Sequence, residues 1–234
     1  MNILAVGCHP DDLEIGCAGT LIRYVQAGHK VSMCTLANGD MGHVEIMPDE
    51  LKKVRRKESE EAAKIIGADY YCVDFGDGMV EAHDKEARLR LVEVIRQTKP
   101  DVIITHNPDD YMRDHMQTSA MAYDASFVST FPHLFSESEY TTGFPPIVYM
   151  DTIAGVGFIP TEYVDISDVI DRKLEALACH KSQIQWMLEH DRIDFIDLVK
   201  TCNKYRGLQC GTAYAEGFRQ YAGWPRFRTA RILP

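Results

Sequence analysis

Asn2-Ile3-Leu4-Ala5-Val6-Gly7 runs directly into Cys8-His9-Pro10-Asp11-Asp12. The first six residues form a short apolar run without alternation, the pattern of a strand covered on both faces. The five that follow are a polar turn. Residues 13–28 then carry Leu13, Ala18, Leu21, Ile22 and Val25 at helical spacing with Gly28 as a stop, which predicts one helix. Strand, turn and helix open a βαβ unit. Working outward, residues 30–37 read as a second strand, 38–42 as a loop, 49–67 as a charged amphipathic helix closed by Gly67, and 70–75 as a third strand. A helix over 83–97 and a β-branched, buried-type strand over 102–105 follow. This alternation predicts a Rossmann-like three-layer α/β/α sandwich with a mostly parallel sheet and right-handed crossovers.

The second half is less regular. Residues 106–114 read as a polar loop and 116–129 as a helix, whereas 131–146, rich in Pro, Ser, Glu and aromatics, predicts no regular element. Strands are expected at 147–152 and 162–166. Ser167 is expected to cap a long helix reaching about residue 189, with Asp168 in its first turn. A final helix over 191–206 and a turn-rich tail over 211–234 complete a C-terminal α/β extension (131–234) on the core (1–130) of a single domain, 1–234.

The 25 Lys and Arg against 35 Asp and Glu leave a net charge of −10. That balance argues against nucleic acid as a partner, because phosphate binding needs a basic face. No stretch approaches the roughly 20 apolar residues that span a bilayer, and no signal peptide is visible. Seven cysteines without a Cys-x-x-Cys pair read as reduced thiols, so the expected compartment is cytoplasmic. Neither G-x-G-x-x-G nor a Walker motif follows a strand, which argues against a nucleotide-binding Rossmann protein.

In open parallel sheets, ligands bind outside the carboxyl ends of the strands, where the strand order reverses. Two polar clusters are expected there: His9, Asp11 and Asp12 after the first strand, and His106, Asp109, Asp110, Asp114 and His115 after the strand ending at Thr105. Imidazole and carboxylate without thiolate suit zinc or a comparable divalent transition metal, and two His with one carboxylate leave room for substrate. Of two adjacent acids, one can ligate while the other takes a proton from water. The plainer reading of Asp11 and Asp12 is that they stabilise the start of the following helix.

Val6 to Gly16 (VGCHPDDLEIG) with Gly19-Thr20, then Asn38-Gly39-Asp40-Met41-Gly42, Arg55-x-x-Glu58 with Ala62-Ala63 and Gly67, and Asp114-His115 together resemble the LmbE-like, or PIG-L-like, N-acetylglucosaminyl deacetylase family. Late in the chain, Lys173 to Gln183 (KLEALACHKSQ) and Tyr214-Ala215-Glu216-Gly217-Phe218 resemble its C-terminal signatures. The resemblance implies a zinc-dependent N-deacetylase acting on an N-acetylated amino sugar or its conjugate. By position it implies His9, Asp12 and His115 as metal ligands, Asp11 as general base and Arg55 as a substrate contact. Asp40, on the second loop, is a further expected substrate contact, although a plain turn explains it equally well. Without the resemblance, Arg55 in the run Lys52 to Lys57 reads as part of a solvated helix face.

One position departs from the pattern. The family's second motif commonly reads His-Pro-Asp-His, and here the stretch is Met112-Arg113-Asp114-His115. Methionine has no ionisable group to stabilise an oxyanion or protonate the leaving amine. Tyr111, Arg113 and His106 are candidate donors, with Tyr111 placed first, and Asp114 can position a neighbour by a hydrogen bond. Two other readings stand beside the deacetylase: a metal-dependent amidase for a different N-acyl conjugate, and a metal-bearing sugar-binding protein that has lost catalysis with the missing His. The expected partner is a small N-acetylated sugar, with homo-oligomerisation left open.

Overall fold

In the strand Asn2–Gly7 (β1), Ile3 and Ala5 face one hydrophobic core while Leu4 and Val6 face another, all four excluded from solvent. The two-residue period of an extended chain therefore feeds two cores at once, which is why the run is apolar throughout. The structure is a computed structural model that describes residues 1–134 and 136–234.

β1 pairs in parallel with Lys30–Ala37 (β2) on one side and Val102–Thr105 (β4) on the other. Asp69–Phe75 (β3), Ile147–Met150 (β5), Glu162–Asp165 (β6) and Ala215–Gln220 (β7) complete one seven-stranded sheet, in the order β3-β2-β1-β4-β5-β7-β6. The chain leaves β1 in one direction and returns to its other side at β4, so the point of reversal lies between β1 and β4.

One face of the sheet is covered by Asp12–Gly16 (α1), Ala18–Gln26 (α2), Pro48–Ile66 (α3) and Ile170–Leu177 (α6), whose apolar residues join Ile3 and Ala5. The other face is covered by Lys85–Thr98 (α4) and Arg113–Val128 (α5), which join Leu4 and Val6. Lys181–Trp186 (α7) and Phe195–Cys210 (α8) lie later in the chain, and Phe195 and Val199 of α8 pack on Leu177. The seven cysteines are all unpaired. No helix among the described residues is long and apolar enough to cross a membrane.

Several boundaries differ from expectation for local physical reasons. The helix expected over 13–28 is two helices broken at Cys17 (φ −149°). Gly16 and Gly19 lie so close to the sheet side that a Cβ on them would come within 2.6 Å of Met150 Sδ and Ile166 Cγ2 respectively. Helix α5 begins at Arg113, which puts Asp114 and His115 in its first turn rather than in a loop. Ser167 caps nothing: it donates to Asp165 Oδ1 (2.6 Å) and accepts from Tyr214 N–H (3.1 Å), and α6 starts at Ile170. The long helix expected to residue 189 breaks after Leu177, where the chain turns His180 and Ser182 inward, and Ser182 donates twice to Glu58. The last helix, expected over 191–206, runs Phe195–Cys210, with Asp194 as its capping residue.

The largest correction concerns the expected tail. Residues 215–220 form β7, antiparallel to both β5 and β6 and inserted between them. Its alternation is hidden because Ala215, Glu216, Gly217 and Phe218 are all buried, Glu216 by virtue of its partners. Glu216 accepts from Gly19 N–H, Thr20 N–H, the Thr20 hydroxyl and Lys173 Nζ, at 2.6 to 2.9 Å.

Candidate metal and catalytic site

The two polar clusters meet at the carboxyl ends of β1 and β4. The hydrogen bond from Cys8 N–H to His106 Nε2 (2.9 Å) ties the turn after β1 to the residue after β4. Asp11 sits in this turn at the residue before α1 with φ 108°, in the left-handed region, and its side chain makes no capping hydrogen bond to the helix. That backbone sends the side chains of Asp11 and Asp12 to different partners.

Asp12, at 4% exposure, faces the histidines. Its Oδ2 accepts from His9 N–H (2.6 Å) and lies 3.3 Å from His9 Nδ1 and 3.3 Å from His106 Nε2, and its Oδ1 lies 3.3 Å from His115 Nε2. Although burial opposes ionisation, the neighbouring His115 holds the Asp12 carboxyl well below the usual range. His115 Nδ1 is fixed by Asp110 Oδ2 at 3.1 Å, so Nε2 is the atom turned toward Asp12. That Nε2 is buried and has no hydrogen-bond partner among the described residues. Burial works to lower the His115 imidazole, and the carboxylates of Asp12 and Asp110 outweigh it, raising it to about 9. His9 is likewise held up, against burial, by Asp114 (Nε2 to Oδ2, 3.3 Å) and Asp12. The pocket thus favours positive charge where imidazole and carboxylate lone pairs converge, which is what a divalent cation with His and Asp ligands requires.

Asp12, His106 and His115 present ligand atoms within 4.8 Å of one another, as do Cys8, His9 and Asp12. His106 is poorly suited to be a ligand. A backbone N–H can only donate, so the Nε2 lone pair of His106 is already engaged by Cys8, and this nitrogen cannot also donate to Asp12. Burial and the neighbouring His115, on which it stacks at 3.9 Å, push its imidazole down to about 4 and keep it neutral. Burial also raises the Cys8 thiol, to about 11, which disfavours the thiolate. With Cys8 and His106 set aside, each group keeps Asp12 and one imidazole, His9 in the first and His115 in the second.

Asp11 stands apart, accepting from Arg55 Nη2 at 3.1 Å. Burial pushes its carboxyl up to about 6 against the pull of Arg55. Arg55 does not lie on a solvated face: it is 3% exposed and also donates to the Pro10 and Gly39 carbonyls. Gly39 (φ +79°) has to be glycine here, since a Cβ would stand 2.5 Å from Arg55 Cδ. Arg55 thus braces the turn that carries Asp11. Asp40 is also engaged within the protein, accepting from Asp77 N–H at 2.9 Å. Asp114 joins His9 to the loop after β3 by accepting from Gly78 N–H at 2.7 Å. Tyr111, 54% exposed, lies in the loop between β4 and α5, where burial and then Asp110 and Asp12 raise its phenol.

Asp110 was legible only as one acid of a cluster; its pairing with His115 needed the first turn of α5 to be in place. The Asp77-Gly78 turn, which touches both Asp40 and Asp114, carried only the signal of a turn pair after a strand.

The family model for PIG-L, GlcNAc-PI de-N-acetylase, matches residues 4–126. The chain is 31% identical to the diacetylchitobiose deacetylase of Thermococcus kodakarensis over 95% of this chain and 84% of that one. It superposes on the N,N'-diacetylchitobiose deacetylase of Pyrococcus horikoshii with a TM-score of 0.79 at 27% identity, covering 94% of this chain and 83% of that one. It is also 26% identical to the 4-oxalmesaconate hydratase of Pseudomonas putida, over 78% of this chain and 74% of that one. The chain belongs to the PIG-L family and is an enzyme of its deacetylase type.

Proposed function

We propose that the protein is a divalent-metal-dependent N-deacetylase that releases acetate from an N-acetylglucosamine-type amino sugar or its conjugate. The observation that carries this reading is the buried His115 Nε2, without a hydrogen-bond partner among the described residues, facing Asp12 Oδ1, with Asp11 beside it but outside that set. His9, Asp12 and His115 would hold the cation, zinc being the first candidate. When bound, it supplies Lewis-acid polarisation of the acetamide carbonyl and of water.

Asp11 accepts a proton from the attacking water as the oxygen bonds to the carbonyl carbon. The C–N bond then breaks as Asp11 passes that proton to the nitrogen, the second proton of the water follows, and acetate and the protonated amine leave. Arg55 keeps the Asp11 carboxylate oriented, and Asp114 and Asp110 hold the rings of His9 and His115. Tyr111 is the proposed donor to the carbonyl oxygen in place of the motif His absent at Met112. Diacetylchitobiose deacetylases among the relatives support an N-acetylated sugar substrate.

The test is acetate release by zinc-loaded protein from N-acetylated sugars. Asp11→Asn is expected to lower kcat by about 10²- to 10⁴-fold while sparing metal content. His115→Ala is expected to lose both. Unchanged turnover in Asp11→Asn refutes the base, and no acetate from any amide, with hydration of an unsaturated acid instead, refutes the deacetylase reading in favour of hydratase chemistry.

A further inference from the structure

Of the eight buried side-chain atoms that find no hydrogen-bond partner among the described residues, three belong to one pair, His180 and Glu14. His180 is wholly excluded from solvent, Glu14 is 2% exposed, and His180 Nε2 stands 3.4 Å from Glu14 Oε2. Both ring nitrogens of His180 and Oε1 of Glu14 are the atoms left without a hydrogen bond. A buried polar pair satisfied this poorly adds little stability over an apolar pair of similar volume, so its presence calls for another reason.

Its position supplies one. Glu14 lies in α1, three residues after Asp11, and Ile15 N–H donates to the Asp11 carbonyl (3.0 Å), which ties this one-turn helix to Asp11. The Asp11 side chain does not cap α1, and the helix is gripped from behind instead. Ile15 packs against the cluster of Leu177, Phe195 and Val199, Lys173 Nζ donates to the Ile15 carbonyl (2.7 Å), and His180 faces Glu14. The same stretch of chain also reaches the brace of Asp11. Ser182 donates to Glu58 through its N–H (2.9 Å) and its hydroxyl (2.7 Å), one turn of α3 beyond Arg55, which holds Asp11. The break between α6 and α7 therefore grips both elements that fix one carboxylate. Asp11 and Glu14 are buried acids one turn apart; Arg55 answers the first and His180 the second. Burial works to lower the His180 imidazole, and Glu14 first and then Asp11 outweigh it and raise it.

We propose that His180 is a positioning residue for Asp11. By answering Glu14 it fixes α1, and through α1 it fixes the direction in which the Asp11 carboxylate meets the attacking water. The inference rests on the deacetylase reading and adds to it a residue that acts only through its neighbours.

The experiment measures acetate release from N-acetylated sugars by zinc-loaded variants, together with urea unfolding of the same proteins. His180→Leu, close in volume, is expected to lower kcat about 10- to 100-fold, with KM within about twofold and zinc content unchanged. Glu14→Gln, which keeps the packing, is expected to give a similar loss, and it tests the proposal even where His180→Leu fails to fold. In the Asp11→Asn background, His180→Leu is expected to change the residual kcat by less than about twofold, because the group it positions is gone. The urea midpoint of the His180→Leu, Glu14→Gln double variant is expected near that of the weaker single variant rather than at the sum of the two shifts.

Unchanged kcat in His180→Leu and Glu14→Gln overturns the proposal. So does a loss that recurs in full on top of Asp11→Asn, which marks a general structural role. Additive urea midpoints overturn the pairing of His180 with Glu14 without touching deacetylation. Acetate from none of the sugars with the unmodified enzyme overturns the deacetylase reading, and with it the role given to His180.

Discussion

Asp11 holds a backbone conformation that a non-glycine residue enters only under constraint, at a cost of about 1–3 kcal/mol, and such strain concentrates at functional positions. The strain separates two adjacent carboxylates, so that Asp12 meets the histidines and Asp11 meets Arg55. At the same scale, Asp110 fixes which nitrogen of His115 faces Asp12. Asp110→Asn is expected to weaken metal affinity about 10- to 100-fold, measured by competition with a chromophoric chelator. Lys173 and Glu216 form an ion pair wholly excluded from solvent. Removing one partner strands the other charge, so Lys173→Met is expected to destabilise the fold by about 3–5 kcal/mol in urea unfolding. A loss below about 1 kcal/mol would show that Glu216 is satisfied by Gly19 and Thr20 alone.

Elements place these residues. Helix α5 carries His115 and Asp114 in its first turn, and α3 carries Arg55. Helix α4 is tied to the segment after α5 through Glu93, which accepts from the hydroxyls of Ser136 and Ser138. Burial works to raise its carboxyl, yet these hydrogen bonds hold it down at about 2, below its ordinary 4.5. A carboxyl depressed on folding stabilises the protein fully above its unfolded value, and that contribution fades as pH falls toward 2. Glu93→Gln is expected to cost about 1 kcal/mol at pH 7 and almost nothing near pH 2, as read from urea midpoints across pH. An equal loss at both pH values would remove the charge from the explanation.

At the scale of the molecule, one sheet carries the site because the strand order reverses between β1 and β4, and the loops leaving those strands converge there. A cation joining His9 and Asp12 to His115 would therefore clamp α1 to α5. Zinc at 100 times its dissociation constant is expected to add about 2.7 kcal/mol to stability, roughly 5–10 °C in Tm at this chain length, reversed by a chelator. A Tm indifferent to zinc and chelator would count against the His9, Asp12 and His115 set.

The sequence alone determined most of the core. Buried parallel strands are apolar on both faces, helices repeat every 3.6 residues and glycine ends them, so β1, β2, β4 and α3 were legible from local pattern. It also marked His9, Asp11, Asp12 and His115, because acids and imidazoles at strand ends are chemically conspicuous. Tertiary structure decided what local pattern cannot carry. β7 reads as a turn-rich tail because Glu216 is buried by partners some 200 residues away, at Gly19 and Thr20. Arg55 reads as solvated because its neighbours in sequence are charged, and its burial depends on Pro10, Asp11 and Gly39 arriving from other elements. Periodicity reports which face of an element is apolar; only packing reports which polar atoms find partners.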